Sequence, residues 1–209
     1  MTFQSVAGRR AANKARTRSA LCEALFALIE ETPLELVTAE QVADAAGVSR
    51  RTFFNYFPSV EAILAHGSEE ILDEVRAALA GRPTAEPLTE SIVAVVEDIF
   101  TVDRLDESVR VWRAIELSPA AARYALAVTS DQVVALAESW ARERLASPDR
   151  PLDALTVSVL TSAAMSAFEA ARLDWLSRHN GRVNARSRRD FIETVRRAVA
   201  LVAPAIDST

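Results

Sequence analysis

Apolar positions recur along this chain at intervals of three and four, the spacing of one face of an α-helix. Leu21, Leu25, Leu28 and Ile29 form such a stripe, in a first helix predicted from about Asn13 to Glu31. Ile63, Leu64, Ile71, Leu72, Val75 and Leu79 mark a long helix after Pro58. Gly81, Pro83 and Pro87 then break the pattern and suggest a boundary between a small N-terminal unit and a larger C-terminal one. Beyond it, Ile92, Val95, Val96, Ile99 and Phe100 keep strict helical spacing, and a shorter helix holds Val109, Trp112 and Ile115. Ser118-Pro119 is a cap followed by proline at the first helical position, and it opens a helix reaching about Leu145. Two more are predicted, from about Asp153 to Arg178 and from about Ser187 to Ala203. Strand-like alternation and internal repeats are missing. The fold class is therefore all-α, with about nine helices: an N-terminal three-helix unit and a larger C-terminal helical one.

The most informative stretch is residues 38–61. Thr38 is placed to cap a short helix, with Gln41 three residues on as a capping box requires. Val42 and Ala46 share its inner face with Ala43 between them, and Gly47 supplies the left-handed residue that stops it. Ser49 caps a second short helix carrying Arg50, Arg51, Thr52 and Asn55. Four of the chain's ten Phe and Tyr residues (Phe53, Phe54, Tyr56 and Phe57) crowd its end. Two short helices with a tight turn between them form a helix-turn-helix, whose second helix can enter a DNA major groove.

Charge changes the picture only when divided along the chain. The net charge is −5, yet residues 1–66 hold seven basic and seven acidic side chains, whereas residues 67–209 hold 17 basic and 22 acidic. The first 22 residues carry Arg9, Arg10, Lys14, Arg16 and Arg18 and no acid. DNA affinity would rest on that local basic surface, and non-specific binding should be weak. The single cysteine, Cys22, is expected as a small buried hydrophobe beside Leu25 and Phe26. No apolar run is expected to approach the roughly 18 residues of a membrane span, and no signal-peptide core is visible, so a soluble, cytoplasmic protein is expected.

The stretch Val42-Ala43-Asp44-Ala45-Ala46-Gly47-Val48-Ser49-Arg50-Arg51-Thr52-Phe53-Phe54-Asn55-Tyr56-Phe57-Pro58-Ser59 resembles the DNA-binding signature of the TetR family of bacterial transcriptional regulators. The likeness in motif covers roughly the first third of the chain. It implies residues 1–60 as arm and helix-turn-helix domain, and residues 61–209 as a ligand-binding and dimerisation domain. It implies a homodimer on a pseudo-palindromic operator in double-stranded DNA, with a small-molecule effector moving the fourth helix and, with it, the spacing of the recognition helices. By position, Thr38, Ser49, Arg50, Arg51, Thr52, Asn55 and Tyr56 correspond to DNA contacts, Thr38 and Tyr56 to phosphate and Arg50 or Arg51 to a guanine edge. Phe53 and Phe57 are read as core. The family usually carries lysine where this chain has Val60.

For the effector, Trp112, Tyr124, Trp140, Met165, Phe168 and Trp175 offer an apolar lining, with Arg110, Arg113 or Arg123 for an anionic head group. The layout from Arg110 to Trp175 resembles the TetR-like group with an acyl-CoA-type ligand domain, as in mycofactocin-system regulators. A cationic or aromatic effector facing Glu116 and Glu169 is the rival reading. The plain alternative is that these aromatics are ordinary core. Small residues from Ser158 to Ala171 permit close helix approach, in a dimer bundle or within one chain. An enzyme is not expected: His66 and His179 are the only histidines, and no metal-ligand cluster, Gly-rich phosphate loop or nucleophile elbow is present. Nothing calls for a cofactor. A DNA-binding regulator without a small-molecule effector is the remaining alternative.

Overall fold

The helical spacing resolves into nine α-helices and one 3-10 turn in a computed structural model that describes residues 3–83, 86–144 and 153–206, and no strand occurs among them. The helices are α1 (Phe3–Ile29), α2 (Ala39–Ala45), α3 (Arg50–Tyr56), α4 (Glu61–Ala80), α5 (Leu88–Ile99), α6 (Val102–Leu117), α7 (Pro119–Arg144), α8 (Ala154–His179) and α9 (Ala185–Ile206), with the 3-10 turn at Leu34–Leu36. The predicted end of α7 at Leu145 lies outside the described residues. Helix α1 starts about ten residues earlier than its apolar stripe. Residues 3–12 contribute no stripe, but their Ala and Arg favour the helix and no proline interrupts it.

The chain divides into two compact units, Met1–Ser68 with Arg110–Val128, and Glu69–Val109 with Thr129–Thr209. In the first, Leu21, Leu25, Val42, Phe53, Ile63 and Leu64 form a core closed by Ala114 and Ala121. Cys22 is half-buried against this core and unbridged. In the second, α8 packs along α9, and α5 packs on α9. Phe100, Phe168, Trp175 and Phe191 meet there as an aromatic cluster, with Phe191 at 5.3–6.2 Å from the other three rings. The buried Trp175 donates its Nε1–H to the Ser187 carbonyl at 2.7 Å, so the indole's one polar atom is satisfied inside the core. Arg188 donates to the carbonyls of Glu97 and Phe100, filling the unpaired C-terminal end of α5.

The break at Gly81–Pro87 is a turn inside the second unit rather than a boundary between units. Leu79 before it and Val95 after it share one cluster with Leu136. The turn is tied internally, with Arg82 Nε and Ser91 Oγ both donating to Glu86 Oε2. Helix α8 also departs from expectation: it is long and apolar enough, by length and a mean hydropathy of 1.3, to cross a membrane. Counting uninterrupted apolar runs stops at Thr156, Ser158, Thr161 and Ser162, yet small hydroxyls lower the average little. The same helix carries Glu169, Arg172 and Asp174.

The α8–α9 connection is fixed by a polar clamp. Asn180 and Gly181 take left-handed conformations (φ 46° and 64°), turning the chain out of α8. Arg178 and His179, at the end of α8, then both donate to the Asp190 carboxylate on α9, His179 at 2.8 Å. Arg178 also bonds Asp174 and Thr194. Burial pushes the Asp190 carboxyl up, but the hydrogen bonds from His179 and Arg178 outweigh it and hold the group below its ordinary value. A carboxyl so depressed adds stability above its unfolded value of about 3.9, and that stability drains away as pH falls through the lower folded value. As pH falls below about 4, the wild type should therefore lose more stability than Asp190→Asn. Urea midpoints measured against pH decide this, and parallel curves for the two proteins would contradict it.

Candidate nucleic-acid interface

Each turn of the helix-turn-helix is set by local chemistry. Thr38 Oγ1 accepts from the Gln41 amide at 3.2 Å, and Gln41 Oε1 accepts from the Thr38 amide at 2.8 Å, a complete capping box at the start of α2. At its end Gly47 has φ +68°; its N–H bonds the Asp44 carbonyl and the Val48 N–H bonds the Ala43 carbonyl. That pair of bonds is a Schellman closure, and it needs the left-handed residue. Val42 and Ala43 are fully buried and Ala46 half-buried, as their spacing predicts. Ser49 Oγ accepts from the Thr52 amide at 3.0 Å and caps α3, and the two hydroxyls lie 2.8 Å apart. Ser59 Oγ accepts from the Ala62 amide at the start of α4.

Helix α3 turns one face inward. Phe53 is completely buried and Phe57 nearly so, which fixes the helix on the core as expected. The opposite face is open. Arg51 and Asn55, one turn apart, are exposed, and their side chains make no hydrogen bond or ion pair among the described residues. Arg50 is exposed too, but its guanidinium lies over the Phe54 ring, 5.6 Å from the centroid. Tyr56 is half-buried against the core, and its hydroxyl has no partner among the described residues. Thr38 and Ser49 stand exposed at the two N-termini, where unpaired backbone N–H groups favour an anion. At Arg51, Asn55 and Tyr56 the face therefore offers side-chain groups with no internal partner among the described residues, the requirement for reading base edges and phosphates.

The basic N-terminal stretch is part of α1. Arg9, Lys14 and Arg16 are exposed along it, whereas Arg18 turns inward and stacks over Phe57 at 5.7 Å. Val60 is buried in the core of this unit. A lysine there would have to carry its charge past that packing, and the chain uses the position for cohesion instead.

The residues offered for an effector pocket fall in different places. Arg110 and Arg113 line an open cleft of about 690 Å³ beside Phe26, Leu34 and Leu117 in the first unit. Its rim also carries Glu30, Glu31 and Glu35, so the cleft presents both signs of charge. The Glu35 carboxyl is held below its ordinary value, chiefly by a hydrogen bond with Ser118. Tyr124 packs against the core of the same unit, and Trp112 is half-buried there. In the second unit, Phe168 and Trp175 belong to the aromatic cluster, and Met165 is 44% exposed on α8. The side chain of Trp140 lies outside the described residues. Neither unit by itself gathers the whole set.

Residues 21–66 match the family model described as bacterial regulatory proteins, tetR family. A stretch of 52 residues is 38% identical to the HTH-type transcriptional regulator EthR of Mycobacterium tuberculosis (strain ATCC 25618 / H37Rv), covering 25% of this chain and 24% of that one. The match thus spans about a quarter of the length of the curated relatives. Among solved structures, Thermus thermophilus FadR, a TetR family transcriptional repressor in complex with lauroyl-CoA, is 22% identical with TM-score 0.53, over 88% of this chain and 92% of that one. NalD of Pseudomonas aeruginosa, the secondary repressor of the MexAB-OprM multidrug efflux pump, is 18% identical with TM-score 0.57, over 90% and 97%. At these identities the structural likeness is one of fold.

The Gly47 turn is open to a clean test, because a Cβ added there meets no atom within 4 Å. Gly47→Ala should cost about 1–2 kcal/mol purely through its left-handed backbone, and Gly47→Asn distinctly less, since asparagine tolerates that conformation. Urea unfolding of the two variants measures this; equal losses would mean that φ at this position is not the constraint.

Proposed function

We propose that this chain, a member of the TetR family by its N-terminal domain, is a sequence-specific DNA-binding transcriptional regulator, acting in the cytoplasm as a ligand-responsive homodimeric repressor. The observation that carries the reading is the open face of α3, capped at Ser49, anchored by Phe53, and presenting Arg51 and Asn55 unbonded. Residues 1–60 serve DNA binding, and residues 61–209 serve effector binding and dimerisation. Arg51 takes a guanine edge, Arg50 and Asn55 adjoining bases or phosphates, and Thr38, Ser49, Thr52 and Tyr56 the phosphate backbone.

Support for a dimer comes from α8. From Ala154 to Phe168 this helix carries only apolar residues and small hydroxyls, a composition suited to packing against another helix. In the single chain one face stays open, with Leu155 72% and Val159 54% exposed among small residues such as Ser162 and Ser166. A second copy laid against that face covers it and sets two recognition helices on one DNA face, about one helical turn apart. Ser162→Arg, a change at an exposed position, should convert dimer to monomer and weaken operator binding by more than tenfold. Sedimentation at micromolar concentration checks this, and a wild type with the mass of a monomer sinks the dimer.

The effector is proposed to be an apolar acyl compound, acyl-CoA being the leading class. The fold likeness to a repressor solved with lauroyl-CoA supports this; Arg110 and Arg113 stand beside apolar lining, in a cleft whose rim also carries Glu30, Glu31 and Glu35. Helix α4 follows α3 directly in the chain, so a displacement of α4 by the effector carries the recognition helix with it. A shift of a few ångströms at each end takes both helices out of register with half-sites whose spacing the DNA fixes.

In vitro selection of binding sites from a random duplex library tests the DNA reading. Arg51→Ala should relax preference at one base per half-site and cost about 1–3 kcal/mol on the best site. Tyr56→Phe should weaken all sequences alike, by about fivefold for one lost hydrogen bond. Unchanged sequence preference in Arg51→Ala would remove that residue from the reading.

A further inference from the structure

Building on the reading of α3 as a recognition helix, we infer that Phe54 is a specificity residue, its ring seated against a pyrimidine 5-methyl group in the major groove, which in unmodified DNA is that of thymine. Adjacent residues on a helix lie about 100° apart, so Phe53 and Phe54 cannot both face the core. Phe53 takes the core position, and Phe54 is left 47% exposed on the face that carries Arg51 and Asn55. The exposed ring is nevertheless held. It meets Phe53 edge to face at 5.2 Å and 81°, and the Arg50 guanidinium covers it from one turn earlier. Braced from two sides, the ring keeps one orientation before any DNA arrives, so little entropy is lost on contact.

The chemistry of the groove then narrows what the ring can meet. Base edges there present hydrogen-bond donors and acceptors, and a single apolar group, the C5-methyl of thymine. A phenyl ring pressed on a polar edge strips water from it and returns no hydrogen bond. Against a methyl, both surfaces leave water favourably. Arg50, held on the same ring, is confined to the neighbouring base or phosphate, so ring and guanidinium act as one reading unit.

The test uses the full-length protein and the site selected from a random duplex library, resynthesised with each thymine replaced in turn by deoxyuridine, which lacks only the methyl. At one thymine per half-site the replacement should weaken wild-type binding about fourfold, the effect of one buried methyl group. Phe54→Ala should bind the thymine and uracil forms equally, and Phe54→Leu should keep part of the difference. A wild type that selects a defined site but never distinguishes thymine from uracil overturns the inference and leaves the regulator reading intact. Discrimination that survives in Phe54→Ala also overturns it. A library that yields no preferred site overturns both.

Discussion

A seven-residue helix does not hold itself together in water, and both α2 and α3 are that short. Everything this chain can present to DNA depends on how that deficit is met. Part of the answer is local: the Thr38–Gln41 box, the Gly47 turn and the Ser49 cap satisfy backbone groups that such short helices leave unpaired. The rest is burial. Phe53 enters the core completely and Phe57 follows at the helix end, so α3 is stapled by its inner side and free on its outer one. The same aromatic cluster that looks like excess hydrophobicity in the sequence is what permits a polar face to stay uncommitted.

Charge is rationed in the same manner. The chain is acidic as a whole, and its acidity lies beyond residue 66. Near the motif, Arg18 is used for packing over Phe57, Arg50 braces Phe54, and Val60 serves cohesion. What stays exposed for phosphate is Arg9, Lys14 and Arg16 on α1 and Arg51 on α3. In the proposed function such an interface would lean on base contacts, and the absent lysine at position 60 should make its salt dependence shallower by about one unit.

Much of this was legible in the sequence because it is local. Caps, the stop at Gly47 and the proline after Ser118 depend on residues three or four apart, and each stands where spacing predicted. What escaped depended on contacts between distant segments. Gly81, Pro83 and Pro87 announce a turn correctly, but only the meeting of Leu79 with Val95 and Leu136 shows that the chain stays in one unit. The start of α1 was missed because residues 3–12 add no apolar stripe, and periodicity is blind to a helix without one. The aromatics expected as a pocket lining are divided between the two units, with Phe168 and Trp175 in the aromatic cluster of the second and Tyr124 against the core of the first. Phe54 was hidden inside a cluster read as a whole, although helical phase alone already separates it from Phe53.

Whether the open face of α3 reads sequence is the deciding question. Fluorescence anisotropy of the full-length protein on labelled duplex from upstream of its own coding region, over a series of salt concentrations, measures that directly. A palindrome-containing fragment should bind about a hundredfold tighter than its shuffled counterpart, with a shallow salt slope. Equal affinity for both fragments, falling steeply together with salt, would contradict it, for then charge alone would hold the protein to DNA.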